Sequence, residues 1–371
     1  METGTRQFFS TGENQPSPNL SSVPVTNNKR LPFEEKCAHL NKNIIKPDHI
    51  ICPFVIPGPQ KTPSTKSVLL PATYLDHTAT SRPLKNIESY ITNNILPNYA
   101  NTHTTVNRTA KQTTYLRHEA KYIIRNSLKL SEHQALIFTG HGATSAVNVL
   151  AYNLAQNFLR FGYQRIILFA SISEHHSNLL PWRSIKNLKI VIVPVLENGD
   201  IDLDFIDNWF QMYKKSASGS DNQIQIQKTK FLATFTAASN VTGKFQNIEK
   251  ICNFIKSKFT SNNRNESIDI FWDFATAGQY LDVNVNKLDA VFLSPHKILG
   301  GVNTPGILIC HKSYLEGSFP LEKGGGAVFY VREGNVKYLK DVEMKEEAGT
   351  PDIIGSIRAG LVFKGWVRAY A

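Results

Sequence analysis

The chain has 371 residues, 41% of them hydrophobic and 19% charged, with 41 Lys and Arg against 30 Asp and Glu. That length is ample for a buried core, and no run approaches the roughly 18 uninterrupted apolar residues that a membrane-crossing helix needs. The formal charge of +11 fits a polyanionic partner, anionic substrates or plain solubility. Cys37, Cys52, Cys252 and Cys310 are scattered, with no CxxC pair, which fits a reduced compartment better than a disulfide framework. The N-terminus lacks the apolar stretch of a secretory signal. A cytoplasmic location is therefore expected. Arg6, Phe8 and Phe9 raise a mitochondrial alternative, which Glu2 and Glu13 weaken.

In chain order, residues 1–66 are rich in Pro, Ser, Thr and Asn and read as a low-complexity, disordered extension with one short helix near Glu34–Asn43. Prolines 53, 57, 59 and 63 forbid a continuous helix after it. From Ser67 short apolar runs alternate with amphipathic segments. The runs Ala135–Phe138, Ile166–Ala170, Lys189–Val195, Phe231–Phe235, Ile268–Trp272, Ala290–Leu293 and Gly306–Cys310 read as buried strands. The clearest helix is Ser145–Phe161, where Val147, Leu150, Ala151, Leu154 and Phe158 share a face. Lys214–Lys228 reads as a polar surface insertion. Strand, loop and helix in alternation predict an α/β fold with a mostly parallel sheet flanked by helices. In such sheets ligands bind beyond the carboxyl ends of the strands.

Four loops at such ends carry chemistry. Phe138–Ser145 has Gly140 and Gly142 for a tight turn ahead of a helix N-terminus, with hydroxyls on Thr144 and Ser145, and reads as a phosphate cradle or as a simple helix cap. Ser173–Asn178 holds adjacent histidines, without the third ligand a zinc site needs. Ile268–Asp273 is an apolar strand ending in a carboxylate, which burial obliges to find a partner. In Ala290–Gly301, Lys297 stands between an apolar strand and two glycines, where desolvation would free its amine as a nucleophile. Each signal is weak alone. Together, a phosphate loop, a stacking histidine, a strand-end acid and a lysine 24 positions later match the needs of pyridoxal 5'-phosphate.

On these residues the chain resembles the class V aminotransferase family of fold-type I pyridoxal-phosphate enzymes, cysteine desulfurases included, from about Tyr74 to Phe363. The resemblance is carried by Tyr74–Ala79, Glu174–Trp182, Ser294–Lys297, Gly324–Gly326 and Glu347–Pro351, with Tyr99–His103 and Gly324–Tyr330 resembling a further branch of the family. It implies that Lys297 forms the imine with the cofactor and later moves protons. Asp273 pairs with the ring nitrogen and His175 stacks on the ring. The phosphate falls to Thr144, Ser294 and His296, since Ala143 fills a position where hydroxyls are usual. Thr276 replaces a glutamine that bonds the ring oxygen, Asn240 lies near the ring hydroxyl and the substrate carboxylate, and Lys345 replaces the arginine that grips that carboxylate. Thr304 reaches the partner subunit's phosphate in the homodimer that the family implies. A lysine keeps the charge but loses the bidentate fork.

The implied organisation is a cofactor-binding large domain over 67–315 and the start of a C-terminal domain, cut short, over 316–371. An amino acid is the expected substrate, with a transferase or lyase reaction. No cysteine follows Cys310 to receive sulfur, which leaves full desulfurase activity unexpected and makes a non-catalytic cofactor-binding relative the second reading. Nucleic acid is not expected as a partner: residues 1–66 hold eight Lys and Arg, close to the density of the rest, and no basic stripe interleaves with aromatics.

Overall fold

The computed structural model describes residues 42–45, 49–55, 65–71, 73–102, 104, 106–218, 228–260, 267–280 and 284–370. Two strands, β1 (His49–Val55) and β2 (Thr65–Pro71), pair as an antiparallel hairpin. The boundary expected at residue 66 thus falls inside a hairpin, and Pro53 is tolerated because a two-stranded ribbon is all edge. Of the rest of the expected extension only residues 42–45 are described, Lys42 and Asn43 as helix, so most of the helix near Glu34–Asn43 lies outside the described residues.

The body is a seven-stranded sheet of β3 (Gln134–Thr139), β4 (Arg165–Ser171), β5 (Leu188–Val193), β6 (Thr229–Thr236), β7 (Ile268–Asp273), β8 (Ala290–Leu293) and β9 (Gly306–His311). Its order is β3-β9-β8-β7-β6-β4-β5. Only β9 runs against the others, pairing antiparallel with β3 and β8. Every apolar run expected as a strand is one, to within two residues at each end. Burial on both faces explains their near-continuous hydrophobicity. Alternate side chains feed two cores: Leu136, Ile167, Phe231, Ile270 and Ile309 face one side, and Ile137, Leu168, Leu232, Phe271 and Leu308 the other.

The helices are α1 (Lys85–Tyr90), α2 (Arg108–Ser127), α3 (Gly142–Arg160), α4 (Leu180–Arg183), α5 (Leu203–Ser218), α6 (Ile248–Thr260), α7 (Val342–Glu346) and α8 (Ile353–Tyr370). The expected Ser145–Phe161 helix starts three residues earlier, at Gly142, and the expected insertion begins as the last turn of α5, with 219–227 outside the described residues. A small hairpin pairs β10 (Val328–Arg332) with β11 (Asn335–Tyr338). Within 316–371, Val342 packs in the core on the α3 side and Ile353, Ile357 and Phe363 in the other.

One of the two edge strands, β3, is closed by side chains. Its Leu136 and Phe138 N–H groups donate to Glu343 (2.9 Å) and Glu347 (2.8 Å), which flank the C-terminal part of α7. Lys121 pairs with both carboxylates, Arg117 with Glu347 and Arg125 with Glu343, all from α2. The carboxyl ends of the parallel strands gather at one edge of the sheet, where β3, β4, β6, β7 and β8 release the loops read above.

Candidate active site

The Ser294–Lys297 loop follows β8 and is fixed from far away in the sequence. Ser81 N–H donates to the His296 carbonyl (2.9 Å), Thr80 Oγ1 donates to the same oxygen (3.1 Å) and stands 3.1 Å from His296 Nδ1, and Gly300 N–H donates to Arg82 O (2.8 Å). The Tyr74–Ala79 motif thus leads directly into the strap that holds Lys297 in place. Gly300 has φ 88°, a left-handed turn that suits glycine.

Opposite, the loop after β3 enters α3. Gly142 has φ 58°, and a Cβ there would stand 2.9 Å from Ser294 Oγ. Ser294 Oγ accepts from the Ala143 N–H (2.8 Å), and Thr144 Oγ1 donates to Ser177 Oγ (2.8 Å). Ser145 Oγ accepts from the His141 N–H (2.7 Å), so Ser145 ties the turn while Thr144 is left at the mouth. Hydroxyls from three strand ends therefore meet beside the α3 N-terminus, a setting suited to an anion.

Between these loops lies a cavity of about 200 Å³, lined by Thr144, His175, Asn240, Asp273, Thr276, Ser294, His296 and Lys297, together with His141, Ser177 and Thr236. Asp273 is buried at its floor, its Oδ1 accepting from Ala275 N–H (2.8 Å). Burial raises its pKa, opposed by that hydrogen bond, Lys297 and His175. Burial lowers the pKa of Lys297, opposed by Asp273 and Asp76. His296 is also lowered, by burial and by Lys297. His175 Nδ1 accepts from Ser177 N–H (3.2 Å), a contact that favours the Nε2–H tautomer.

Eight of the ten residues expected at the site line this one cavity. Thr304 does not. It is buried, donates to Gly301 O (2.7 Å), and lines an adjoining cavity that shares His141, Gly142 and His296. Lys345 does not line it either: it is buried beneath the opposite edge of the sheet, its Nζ donating to Leu315 O (2.6 Å) and Ser318 O (2.8 Å). Those carbonyls follow the far end of β9, so the partners of the amine are local backbone oxygens. His141, Ser177 and Thr236 were not singled out from the sequence. The first two sit inside motifs that were read, whereas Thr236 looks like any strand-end threonine.

The donor set fits a molecule with an anion at one end, a basic ring nitrogen and a carbonyl. Thr144, Ser177 and Ser294 offer hydroxyls to the anion in a cradle that a side chain on Gly142 would fill, Asp273 offers an acid and Lys297 an amine.

A family model described as aminotransferase class-V matches residues 73–369. The chain belongs to the class V aminotransferase family, whose members use pyridoxal 5'-phosphate. It is 26% identical over 295 residues to a cysteine desulfurase of Wigglesworthia glossinidia brevipalpis, covering 78% of this chain and 65% of that one. It is 28% identical over 300 residues to a probable cysteine desulfurase of Pyrococcus abyssi, covering 80% and 66%. The solved apo cysteine desulfurase of Thermococcus onnurineus NA1 superposes with a TM-score of 0.63 at 23% identity, over 79% of this chain and 66% of that one, which shows the fold-type I architecture. The chain thus spans just under two thirds of the length of these curated relatives. Among the described residues no helix is long and apolar enough to cross a membrane.

Proposed function

We propose that the chain is a pyridoxal-phosphate-dependent enzyme of transferase or lyase type that acts on an amino acid, with Lys297 as the residue bonded to the cofactor. The observation that carries this reading is that Asp273, at the end of β7, and Lys297, in the loop after the neighbouring β8, open into one cavity whose other end is the hydroxyl-lined cradle. When bound, the cofactor supplies an electron sink for charge developing at the amino acid's α-carbon.

The rest is done by the protein. Thr144, Ser294 and His296 would hold the phosphate, and Asp273 would keep a proton on the ring nitrogen. His175, at the cavity wall, would cover the ring and limit access of water. Thr276 and Asn240 orient the ring oxygen and the substrate carboxylate. Lys297, whose pKa burial lowers, takes up and returns the proton at Nζ. A homodimer accompanies this reading, and light scattering tests it.

The test is direct. Wild-type protein mixed with pyridoxal phosphate should show a visible absorption band, and borohydride should fix the cofactor on Lys297, as peptide mapping reads. Lys297→Ala should give neither. A colourless protein that takes up no cofactor defeats the reading. A panel of amino acids, cysteine first because of the names its relatives bear, then finds the substrate by spectral change.

A further inference from the structure

One residue before His175, the chain turns inward. Glu174 is buried, while His175 is exposed at the cavity. Glu174 Oε1 accepts from the Thr236 N–H (2.7 Å) and Oε2 from Asn178 Nδ2 (2.6 Å). Asn178 passes the contact on, its Oδ1 accepting from Thr234 Oγ1 (2.8 Å). Asn178 and Thr234 are fully buried. The loop after β4 is therefore stitched to the end of β6 through side chains shielded from water, and two residues beside the stitch, His175 next to Glu174 and Thr236 at its β6 end, both line the cavity. A buried polar network in which each member is satisfied is stiff, and one in which a member is missing is costly. Thr236 is in register with Asp273 on β7, so the stitch also abuts the acid at the floor.

We propose that Glu174 is a positioning residue for this site: through Asn178 and Thr236 it sets the His175 ring and the β6 wall as one unit, so that the imidazole is in place before a ligand enters. The proposal rests on the cofactor reading above for its purpose and on the hydrogen bonds alone for its geometry. Glutamine can keep the stitch. Its oxygen accepts from the Thr236 N–H and its amide donates to Asn178 Oδ1 once the Asn178 amide turns over, with Thr234 Oγ1 then accepting from Asn178 Nδ2. Alanine cannot.

The experiment uses the full chain as wild type, Glu174→Gln and Glu174→Ala, labelled with nitrogen-15 in the histidine rings, the His175 signals being assigned by their loss in His175→Gln. In ligand-free protein, wild type and the glutamine variant should show His175 as the single Nε2–H tautomer, and the alanine variant a mixture of both. Titration with pyridoxal phosphate, read by tryptophan fluorescence, should give a Kd raised about tenfold or more in Glu174→Ala and nearly unchanged in Glu174→Gln. An alanine variant that matches wild type in tautomer and Kd overturns the proposal. So does a glutamine variant that loses tautomer order and melting temperature as far as alanine, because the carboxyl would then be a prop for the fold alone. If wild type takes up no pyridoxal phosphate, the functional reading falls, and the ligand-free tautomer spectra still decide the role of Glu174.

Discussion

Asp273 ends β7, Lys297 lies in the loop after the neighbouring β8, and both reach the same cavity, where each draws the other toward its charged form while burial pushes both toward neutrality. An amine and an acid held in that balance can exchange a proton with a ligand at little cost, and the arrangement carries a penalty for the empty protein.

That penalty is measurable in Asp273→Asn. The folded pKa of Asp273 lies above its unfolded value. As pH rises through the ordinary carboxylate range, the unfolded chain releases a proton that the folded chain keeps. Stability therefore falls across that window and levels off above the folded pKa. Melting temperatures of ligand-free Asp273→Asn and wild type should diverge in the variant's favour over this window, while turnover falls about a hundredfold or more. Parallel melting curves at every pH would show that burial of this acid costs the fold nothing.

Gly142→Ala combines a left-handed φ with a Cβ 2.9 Å from Ser294 Oγ. Backbone strain alone costs about 1–2 kcal/mol, visible in urea unfolding. The Kd for pyridoxal phosphate should rise more than that for pyridoxal, which lacks the phosphate. An equal rise for both would separate Gly142 from the anion end.

Glu347 tests the outer edge of the sheet. Burial would raise its pKa, but Lys121 and Arg117 outweigh burial and hold it below the ordinary value. Its contribution is therefore present above the unfolded pKa and is lost as pH falls through the folded one. Removing one member of a buried pair typically costs about 3–5 kcal/mol. Denaturant unfolding of Glu347→Gln at neutral pH should show a loss of that order, shrinking on acidification. Superimposable curves at neutral pH would refute the role.

Lys345→Met should destabilise the fold by about 2–4 kcal/mol, because it strands two backbone carbonyls and the neighbouring Glu346 carboxylate. The same variant should leave cofactor Kd and substrate KM unchanged. A large rise in KM with stability intact would return Lys345 to the substrate.

The strands were legible because burial on both faces leaves uninterrupted apolar runs, and the site loops because the parallel sheet sends them to one edge. The position of Lys345 away from the cavity is not legible for a physical reason: sequence shows the charge, while the partners of the amine are backbone oxygens at Leu315 and Ser318 that no side-chain pattern reveals. Thr80 and Thr236 escaped notice similarly. One grips the His296 carbonyl across 216 positions and the other offers its N–H to Glu174, contacts that exist only once the chain is folded. The hairpin of β1 and β2 was hidden by prolines that a two-stranded ribbon accommodates.

The carboxylates on β3 bear on the protein's solubility during its own synthesis. An outer strand with free N–H groups invites a strand from another molecule. Here those groups are covered by Glu343 and Glu347, 207 and 209 positions downstream. A nascent or partly unfolded chain that has made β3 but has not yet docked α7 presents an open edge to its neighbours, so aggregation should track exposure of this strand, and acid that neutralises the two glutamates should hasten it.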